Sequence, residues 1–443
     1  MLRSRILASA ASLIILTGCS WNPLEDVGIT TPAASVPPPS GLVVGDEPFA
    51  VKAGASVLSQ GGSAADAATA IYFALAVTYP VAAGLGGGGL CIVHDPAKSA
   101  NEAFVFLARD SSGGGPFAVP GNVRGFAALQ TAYGKLPWQR DVAPGEGFAA
   151  TGFPISNALA MRISSSADIV RLDANLAAEF LDENGQVKKA GTIVSNPALA
   201  DTLSYVRTAG WQGFYTKTVA QKLAAYAGTQ SSGISYAELA AISTNSEPAN
   251  MTTVGSLTAY LPPSRIGAGA FAGTLLQHLG GEPELAAATK ETLDGFGIKT
   301  LPRDLGSTGF AATDSTGQAV SCAVTMNGPF GSGHTATGTG VTLARAPNTG
   351  QAGYSAAFLT PVVATADNAT AFAGAGAGGP LGTASVLYAL SKLGHGGSLR
   401  ERGDLRGTGL APYNTVNVIA CQGGGCTPLA DPETSGMGAA SEN

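Results

Sequence analysis

The sequence is poor in charge and in histidine. Charged residues make up 12% of the 443 residues, and lysine and arginine form neither a block nor a stripe interleaved with aromatic residues. Together with the formal net charge of -6, this argues against a nucleic-acid partner, because binding to a phosphate backbone needs clustered cations. The four histidines are scattered and share no Cys/His ligand spacing, so we predict neither a metal site nor a cofactor.

Glycine and apolar residues, in contrast, are abundant. The chain has 61 glycines without a three-residue period, which excludes collagen, and 45% of it is apolar, enough for a sizeable core. The glycine-rich run 84–89 lies after a predicted helix and before a predicted strand. That order is the reverse of a dinucleotide-binding or P-loop motif, so the run indicates close backbone packing and not phosphate binding.

Residues 1–19 have the character of an export signal. Two arginines precede an apolar run over residues 6–16, which is too short to span a bilayer as a stable anchor. The run ends in Leu16-Thr17-Gly18-Cys19. This resembles the bacterial lipobox, although an ordinary secretory signal with an incidental cysteine is the alternative. We expect a lipid on Cys19 to hold the protein on a membrane surface of the bacterial cell envelope, facing the periplasm or the exterior. Residues 20–44 are rich in Pro, Ser and Thr and predict a flexible linker.

The remaining cysteines fall into two pairs of different character. Cys421 and Cys426 bracket a Gln-Gly-Gly-Gly segment, and in an oxidising compartment they could close a short disulfide loop. Cys91 and Cys322 lie in strand-like apolar stretches, and we interpret them as small core residues.

Periodicity and turn signals predict a helical first part and a β-rich last part. Residues 50–60 read as a helix, and Ser63 fits the N-cap of a second helix, with Asp66 as the reciprocal capping acid. This second helix is apolar almost all round, so we expect it to be buried. After a break over residues 303–306, two strand-length runs joined by an Asp-Ser-Thr-Gly turn predict a hairpin that starts at Ser307.

Several blocks of the sequence, in order, resemble the γ-glutamyltransferase family. The similarity covers residues from about 45 to 436. Its blocks are Gly61-Gly62-Ser63-Ala64-Ala65-Asp66-Ala67, Pro120-Gly121-Asn122-Val123-Arg124-Gly125-Phe126, Pro197-Ala198-Leu199-Ala200-Asp201-Thr202-Leu203, the hairpin from Ser307 to Phe330-Gly331-Ser332-Gly333, and Gly376-Ala377-Gly378-Gly379.

The resemblance implies an α+β fold, the αββα sandwich of the N-terminal-nucleophile (Ntn) hydrolases, in which two stacked sheets are flanked by helices. It also implies autocatalytic cleavage before a threonine that becomes the nucleophile, a position occupied here by Ser307. Residues 45–306 would then form the large fragment and residues 307–443 the small one. The freed α-amino group, with a reference pKa of about 8, would act as the base. By composition alone, Ser307 would be an ordinary strand-start serine.

The resemblance also assigns the residues around the nucleophile. Gly378 and Gly379 match the backbone amides of the oxyanion hole, and Thr325 matches a threonine that contacts the nucleophile and supports processing. Arg109 resembles the arginine that binds the glutamyl α-carboxylate, the alternative being a surface ion pair with Asp110. Asn327 matches an asparagine that binds the amino-acid head group.

Three departures from the family pattern affect the predicted substrate. The histidine of the Thr-Thr-His start is replaced by Gly309, and residues 344–349 lack the acid and the glutamine that would hold the substrate ammonium. Ala357-Phe358 stands where a Ser-Ser pair contacts the ligand. We therefore carry three hypotheses: a hydrolase or transferase of small γ-glutamyl amides such as glutathione, a related amidase with another acyl group, and a non-catalytic lipoprotein that binds its ligand.

Overall fold

The computed structural model describes residues 41–244, 246–279, 285–405 and 413–441. Cys19, the predicted signal peptide and the linker up to residue 40 lie outside the described residues. The linker prediction extends too far, because residues 41–44 belong to a strand, Gly41–Gly45. Their short apolar side chains are buried in a sheet, which a composition-based reading of the preceding Pro-rich stretch does not reveal.

The described strands form two large antiparallel sheets and three two-stranded ones. Their bounds are β1 Gly41–Gly45, β2 Gly88–Asp95, β3 Ala100–Phe106, β4 Arg109–Asp110, β5 Ala118–Val119, β6 Phe153–Pro154, β7 Ile193–Val194, β8 Ser246–Pro248, β9 Asn250–Val254, β10 Leu257–Leu261, β11 Ser307–Asp314, β12 Ala319–Thr325, β13 Thr335–Ala336, β14 Val341–Thr342, β15 Thr360–Ala366, β16 Ala369–Ala377, β17 Thr415–Gln422, β18 Gly425–Ala430 and β19 Met437–Ala440.

The helices connect and cover these sheets. Their bounds are α1 Pro48–Ser59, α2 Ala64–Thr78, α3 Asn122–Tyr133, α4 Trp138–Thr151, α5 Asn157–Ser165, α6 Ala167–Leu172, α7 Ala174–Phe180, α8 Pro197–Ala209, α9 Gln212–Tyr215, α10 Lys217–Thr229, α11 Tyr236–Ala240, α12 Gly267–His278, α13 Leu285–Gly295, α14 Tyr354–Ala357 and α15 Pro380–Gly394. Within the described ranges, none of them is both long and apolar enough to cross a membrane.

The layers are helix, sheet, sheet, helix. The first sheet has the order β19-β1-β11-β12-β2-β3-β8, and the second has the order β18-β17-β16-β15-β10-β9. Helices α1 and α2 pack on the outer face of the first sheet, whereas α12 and α15 pack on that of the second. This is the predicted αββα sandwich, and the predicted hairpin at Ser307 is the pair β11–β12 at the centre of the first sheet.

Small residues let the two sheets approach closely. The layer between them contains alanines such as Ala311 and Ala373 next to larger side chains such as Ile92 and Tyr260. A Cβ placed on Gly309 of β11 would lie 2.7 Å from the Cβ of Ala375 on β16. The histidine that the family pattern puts at this position would therefore have no room between the sheets.

The predicted second helix is confirmed in both its start and its burial. The Ser63 hydroxyl accepts a hydrogen bond from the Asp66 amide, and the Asp66 carboxylate accepts one from the Ser63 amide at 2.8 Å. Every residue of α2 is buried. Since this helix packs against β11 and β12, it supports the hairpin that carries Ser307.

The cysteines form two cross-strand disulfides. Cys421 and Cys426 are joined where β17 turns into β18. Cys91 and Cys322 are buried in the core, as interpreted from the sequence, but they are also joined by a disulfide that was not predicted. They lie directly opposite each other on β2 and β12 with their Cα atoms 4.1 Å apart, and two cysteines so close on neighbouring strands can be bridged.

Candidate active site

Ser307 is the first residue of the central strand β11. It pairs with Thr325, the last residue of β12, and both side chains are buried. The next residue, Thr308, donates a hydrogen bond at 2.6 Å to the fully buried carboxylate of Asp46. Asp46 also accepts hydrogen bonds from Thr415 and Asn417 on the second sheet. Burial raises the pKa of Asp46 while these hydrogen bonds oppose the increase, so the start of β11 is held by an acid that both sheets satisfy.

The carbonyl group just before Ser307 has two hydrogen-bond donors. The Gly306 oxygen accepts the Met326 amide at 2.8 Å and the Thr325 hydroxyl at 3.0 Å. Ser355 lies beside them, with its hydroxyl 2.5 Å from that of Thr325 and 2.5 Å from the Leu305 carbonyl oxygen. Two donors on one carbonyl oxygen polarise it and can stabilise negative charge on it, as an oxyanion hole does.

The hydroxyl of Ser307 faces a third donor. The Gly378 amide donates to Ser307 Oγ at 2.8 Å. Gly378 follows β16 and has a φ of +88°, and a Cβ there would lie 2.5 Å from the Tyr413 carbonyl oxygen, so only glycine fits without strain. Gly379 is the N-cap of α15. Of the two predicted oxyanion glycines, Gly378 therefore contacts the predicted nucleophile, and Gly379 is the next residue in the chain.

A buried ion pair holds the chain on both sides of the Gly306–Ser307 bond. Arg162 on α5 donates two hydrogen bonds to the Asp304 carboxylate, at 3.0 and 2.5 Å, and a third to the Ser307 carbonyl oxygen at 3.2 Å. Asp304 in turn accepts the Gly306 amide at 2.7 Å. Burial alone would lower the pKa of Arg162, but the charge of Asp304 keeps it raised.

The ring of Tyr413 completes this arrangement. The guanidinium carbon of Arg162 lies 3.9 Å from the centre of that ring, a cation–π contact that leaves the cation few directions in which to move.

A cavity of about 600 Å³ lies next to this ion pair. Residues 302–305, which immediately precede the Gly306–Ser307 bond, form one wall, and Arg162 and Arg345 line it as well. This volume is in the range of small-molecule sites. The chain that leads into Ser307 therefore borders the cavity, whereas Ser307 itself is not among the lining residues.

The other two residues predicted to bind substrate have different positions. Asn327 is buried and lines the cavity, where its amide donates to the Arg345 carbonyl oxygen at 2.9 Å. Arg109 is exposed on the small strand β4 and is not among the residues that line the cavity. The structure thus brings Ser307, Thr325, Gly378 and Asn327 together, whereas Arg109 is not among the residues that line the cavity.

Four residues of this site have no signal in the sequence that we identified. Ser355 lies on a short helix, and Asp46 follows the predicted linker, so neither belongs to a recognisable motif. Arg162 and Asp304 are separated by 142 positions, so no local pattern connects them. In the sequence, a buried arginine on a short helix cannot be distinguished from a surface arginine, because its ion-pair partner is not known. The predicted break at 303–306 could have drawn attention to Asp304. Among the described residues, no three His, Cys, Asp or Glu side chains are grouped to hold a metal ion.

The chain is similar to known proteins in sequence and in fold. The profile of the family described as Gamma-glutamyltranspeptidase matches residues 50–295, more than half of the chain. The chain is 36% identical over 194 residues to glutathione hydrolase 2 of Arabidopsis thaliana, covering 40% of this chain and 33% of that protein. It is 32% identical over 206 residues to the glutathione hydrolase proenzyme of Bacillus subtilis, covering 41% and 35%. The match thus spans about a third of these relatives' length.

Two solved structures share the fold. A cephalosporin acylase from Bacillus halodurans superimposes with a TM-score of 0.74 at 17% identity, over 92% of this chain and 96% of that one. The γ-glutamyltranspeptidase of Helicobacter pylori superimposes with a TM-score of 0.50 at 24% identity, over 54% and 74%. The Ntn-hydrolase fold predicted from the resemblance is therefore confirmed. Since the family profile covers most of the residues before Ser307 and the fold agrees, the chain belongs to the γ-glutamyltranspeptidase family.

Proposed function

We propose that the protein is an Ntn amidohydrolase or acyltransferase that cleaves itself before Ser307 and then acts through an acyl-enzyme on that serine. One observation carries the proposal. The carbonyl of Gly306 accepts two hydrogen bonds, from Thr325 and Met326, while the adjacent Ser307 hydroxyl accepts a third from Gly378. A buried serine with donors at both its oxygen and the preceding carbonyl is arranged for attack on its own peptide bond.

In the cleavage, Ser307 Oγ attacks the carbonyl carbon of Gly306 and loses its proton. The oxygen of Gly306 becomes negative and is stabilised by the amide of Met326 and the hydroxyl of Thr325. The C–N bond then breaks, the nitrogen of Ser307 takes up a proton, and an ester joins Gly306 to Ser307 Oγ. Water hydrolyses this ester, leaving a carboxylate on Gly306 and a free α-amino group on Ser307.

After cleavage, the new amine serves as the base for the hydroxyl of the same residue. It accepts the Ser307 proton as Oγ attacks a substrate amide, and the amine of the leaving group takes a proton as the acyl-enzyme forms. The Gly378 amide, which faces Oγ in the uncleaved chain, is positioned for the oxyanion of this second reaction. Water or an acceptor amine then releases the acyl group.

The family to which the chain belongs suggests the first candidate for the acyl group of the substrate. Glutathione and related γ-glutamyl amides are the first candidates, since the matched relatives are glutathione hydrolases. An amidase with another acyl group is the second, because residues 344–349 lack the acid that would bind a glutamyl ammonium and Arg109 is not among the residues that line the cavity. Turnover of glutathione or γ-glutamyl-p-nitroanilide favours the first, and their refusal alongside turnover of another acyl anilide favours the second.

The test of cleavage is the intact mass of the purified protein, measured with reductant because Cys91 and Cys322 lie on opposite sides of Ser307 and are joined. We expect two fragments with Ser307 at the new N-terminus. Ser307→Ala should remain intact, and Ser307→Thr should still be cleaved. A wild-type chain that stays whole after prolonged incubation would overturn the proposal, and saturable ligand binding by that whole chain would instead support a non-catalytic lipoprotein.

We further propose that Cys19 carries a lipid that attaches the protein to a membrane of the cell envelope. The lipobox-like sequence ending at Cys19 supports this. Incorporation of a labelled fatty acid that is lost in Cys19→Ala would be the expected result. Equal label in both proteins, or none in either, would contradict it.

A further inference from the structure

The ion pair between Arg162 and Asp304 places a carboxylate beside the nucleophile. Arg162 is 1% exposed, and its guanidinium group binds both oxygens of Asp304 while also reaching the Ser307 carbonyl oxygen. A guanidinium that binds a carboxylate through two parallel hydrogen bonds recognises that group with defined geometry. The uncleaved chain therefore contains a formed carboxylate site a few ångströms from Ser307.

The carboxylate in this site belongs to a segment that cleavage frees. Asp304 precedes the proposed scissile bond by two residues, and residues 302–305 form the cavity wall. One of the bonds that hold Asp304 comes from the Gly306 amide, at the end that becomes a free C-terminus. Once residue 306 is a chain end, this segment can leave, and its departure would open the cavity toward Ser307 with the Arg162 site vacant.

The charges that remain favour an anion. Arg162, Arg303 and Arg345 line the cavity together with two acids, Asp304 and Asp168. Asp168 is exposed and paired with Arg171. When the segment 302–305 leaves, Arg303 leaves with Asp304, and Arg162 and Arg345 still line the cavity. The guanidinium group of Arg162 then has no Asp304 bound to it, so a carboxylate is attracted while an ammonium group is repelled.

On the basis of the proposed function, we infer that Arg162 binds the far carboxylate of the acyl group and that Asp304 occupies this site until cleavage. The substrates are amides of short dicarboxylic acids, and an acyl group without an α-ammonium is preferred over the γ-glutamyl group. Asp304 is then an internal mimic of the substrate carboxylate.

The first experiment asks whether Asp304 masks the site. The probe is glutaramate, the monoamide of glutaric acid, and binding is measured by calorimetry in the uncleavable Ser307→Ala protein. We expect glutaramate to bind to Ser307→Ala/Asp304→Ala, in which the site is no longer occupied by Asp304. It should bind neither to Ser307→Ala nor to the matched control Ser307→Ala/Asp168→Ala, because both keep Asp304. Pentanamide, which lacks the carboxylate, should bind to none of them. A double variant at Asp304 that is folded but does not bind glutaramate would overturn the inference.

The second experiment uses the cleaved wild-type protein and does not depend on the folding of a variant. Glutaryl-p-nitroanilide, pentanoyl-p-nitroanilide and γ-glutamyl-p-nitroanilide differ only at the far end of the acyl chain. We expect kcat/KM for the glutaryl compound to exceed that for the pentanoyl compound by about 30- to 100-fold, as one hydrogen-bonded charge pair provides, and to exceed that for the γ-glutamyl compound as well. Equal rates for glutaryl and pentanoyl substrates, or a preference for γ-glutamyl, would overturn it.

The two experiments separate this inference from the proposed function. If the wild-type chain is never cleaved, the proposed function fails, yet the binding experiment still tests the Arg162 site. If cleavage and turnover occur without any preference for the dicarboxylic acyl group, the proposed function stands and the inference fails.

Discussion

Replacing Gly306 by alanine should block cleavage before Ser307. Gly306 has a φ of +61°, and a Cβ added to it would lie 1.9 Å from the Gly328 carbonyl oxygen. The left-handed conformation costs an L-residue about 1–2 kcal/mol. The contact is the larger problem, because the two backbone segments must separate by about 1.5 Å to reach an ordinary van der Waals distance.

That movement would displace the carbonyl group under attack. The Gly306 oxygen is bound by Met326 and Thr325 at 2.8 and 3.0 Å, and a shift of this size lengthens at least one of these bonds beyond hydrogen-bonding range. A misplacement of about 1 Å can cost about 100-fold in rate, and loss of one oxyanion donor costs about 10²–10³-fold. We therefore expect Gly306→Ala to slow cleavage by at least about 100-fold.

The assay follows the fraction of uncleaved chain with time by intact mass under reducing conditions. Gly297→Ala is the matched control, since Gly297 has a φ of +70° but no heavy atom within 4 Å of an added Cβ. It carries the same backbone strain without the contact, and it should be cleaved at the wild-type rate. If Gly306→Ala is folded, judged by its thermal unfolding, and is cleaved within threefold of wild type, the geometric argument is wrong.

Three further predictions concern other parts of the molecule. Thr325→Val keeps the shape but removes the hydroxyl from the Gly306 oxygen, and mass spectrometry should show cleavage slowed by about 10²-fold; an unchanged rate would contradict this. After cleavage, the two fragments should migrate together on a non-reducing denaturing gel and separately with reductant, because Cys91 and Cys322 join them; Cys322→Ala should give separate fragments in both gels. Burial, and then the charge of Asp66, raise the pKa of Asp141 to about 9. The folded state thus binds the proton of Asp141 more tightly than the unfolded state does. The free energy of unfolding that this proton contributes is therefore lost as the pH rises from about 4 to about 9. Asp141→Asn should therefore unfold with a weaker pH dependence between pH 5 and 8 and be more stable at pH 8, by about 1–3 kcal/mol; a pH profile identical to wild type would refute the assignment.

Local signals in the sequence were sufficient for the elements that carry the nucleophile. The capping pair Ser63 and Asp66 is three residues apart, and the structure forms both of its hydrogen bonds. The hairpin from Ser307 to Thr325 is encoded by two apolar runs and a turn between them. In both cases the interacting groups are near in sequence, so the pattern contains the whole interaction.

Contacts between segments that are distant in the sequence could not be predicted from such local patterns. The pairing of Cys91 with Cys322 depends on the register of β12 against β2, because a slip of one residue would turn the two side chains to opposite faces. The position of Arg109 depends on where β4 lies relative to the cavity, and motif similarity carries no such distance. Ser355 reaches Thr325 only because the short helix α14 packs beside the end of β12.

The sequence by itself determined the capped and buried helix α2 and the hairpin with Ser307 at its start, because each depends on neighbours a few positions apart. Only the tertiary structure decided which charged groups surround that serine. Arg162 and Asp304 come from segments 142 positions apart, and packing of helix, sheet and connecting chain is what places a cation, a carboxylate and the Gly306–Ser307 bond in one buried cluster.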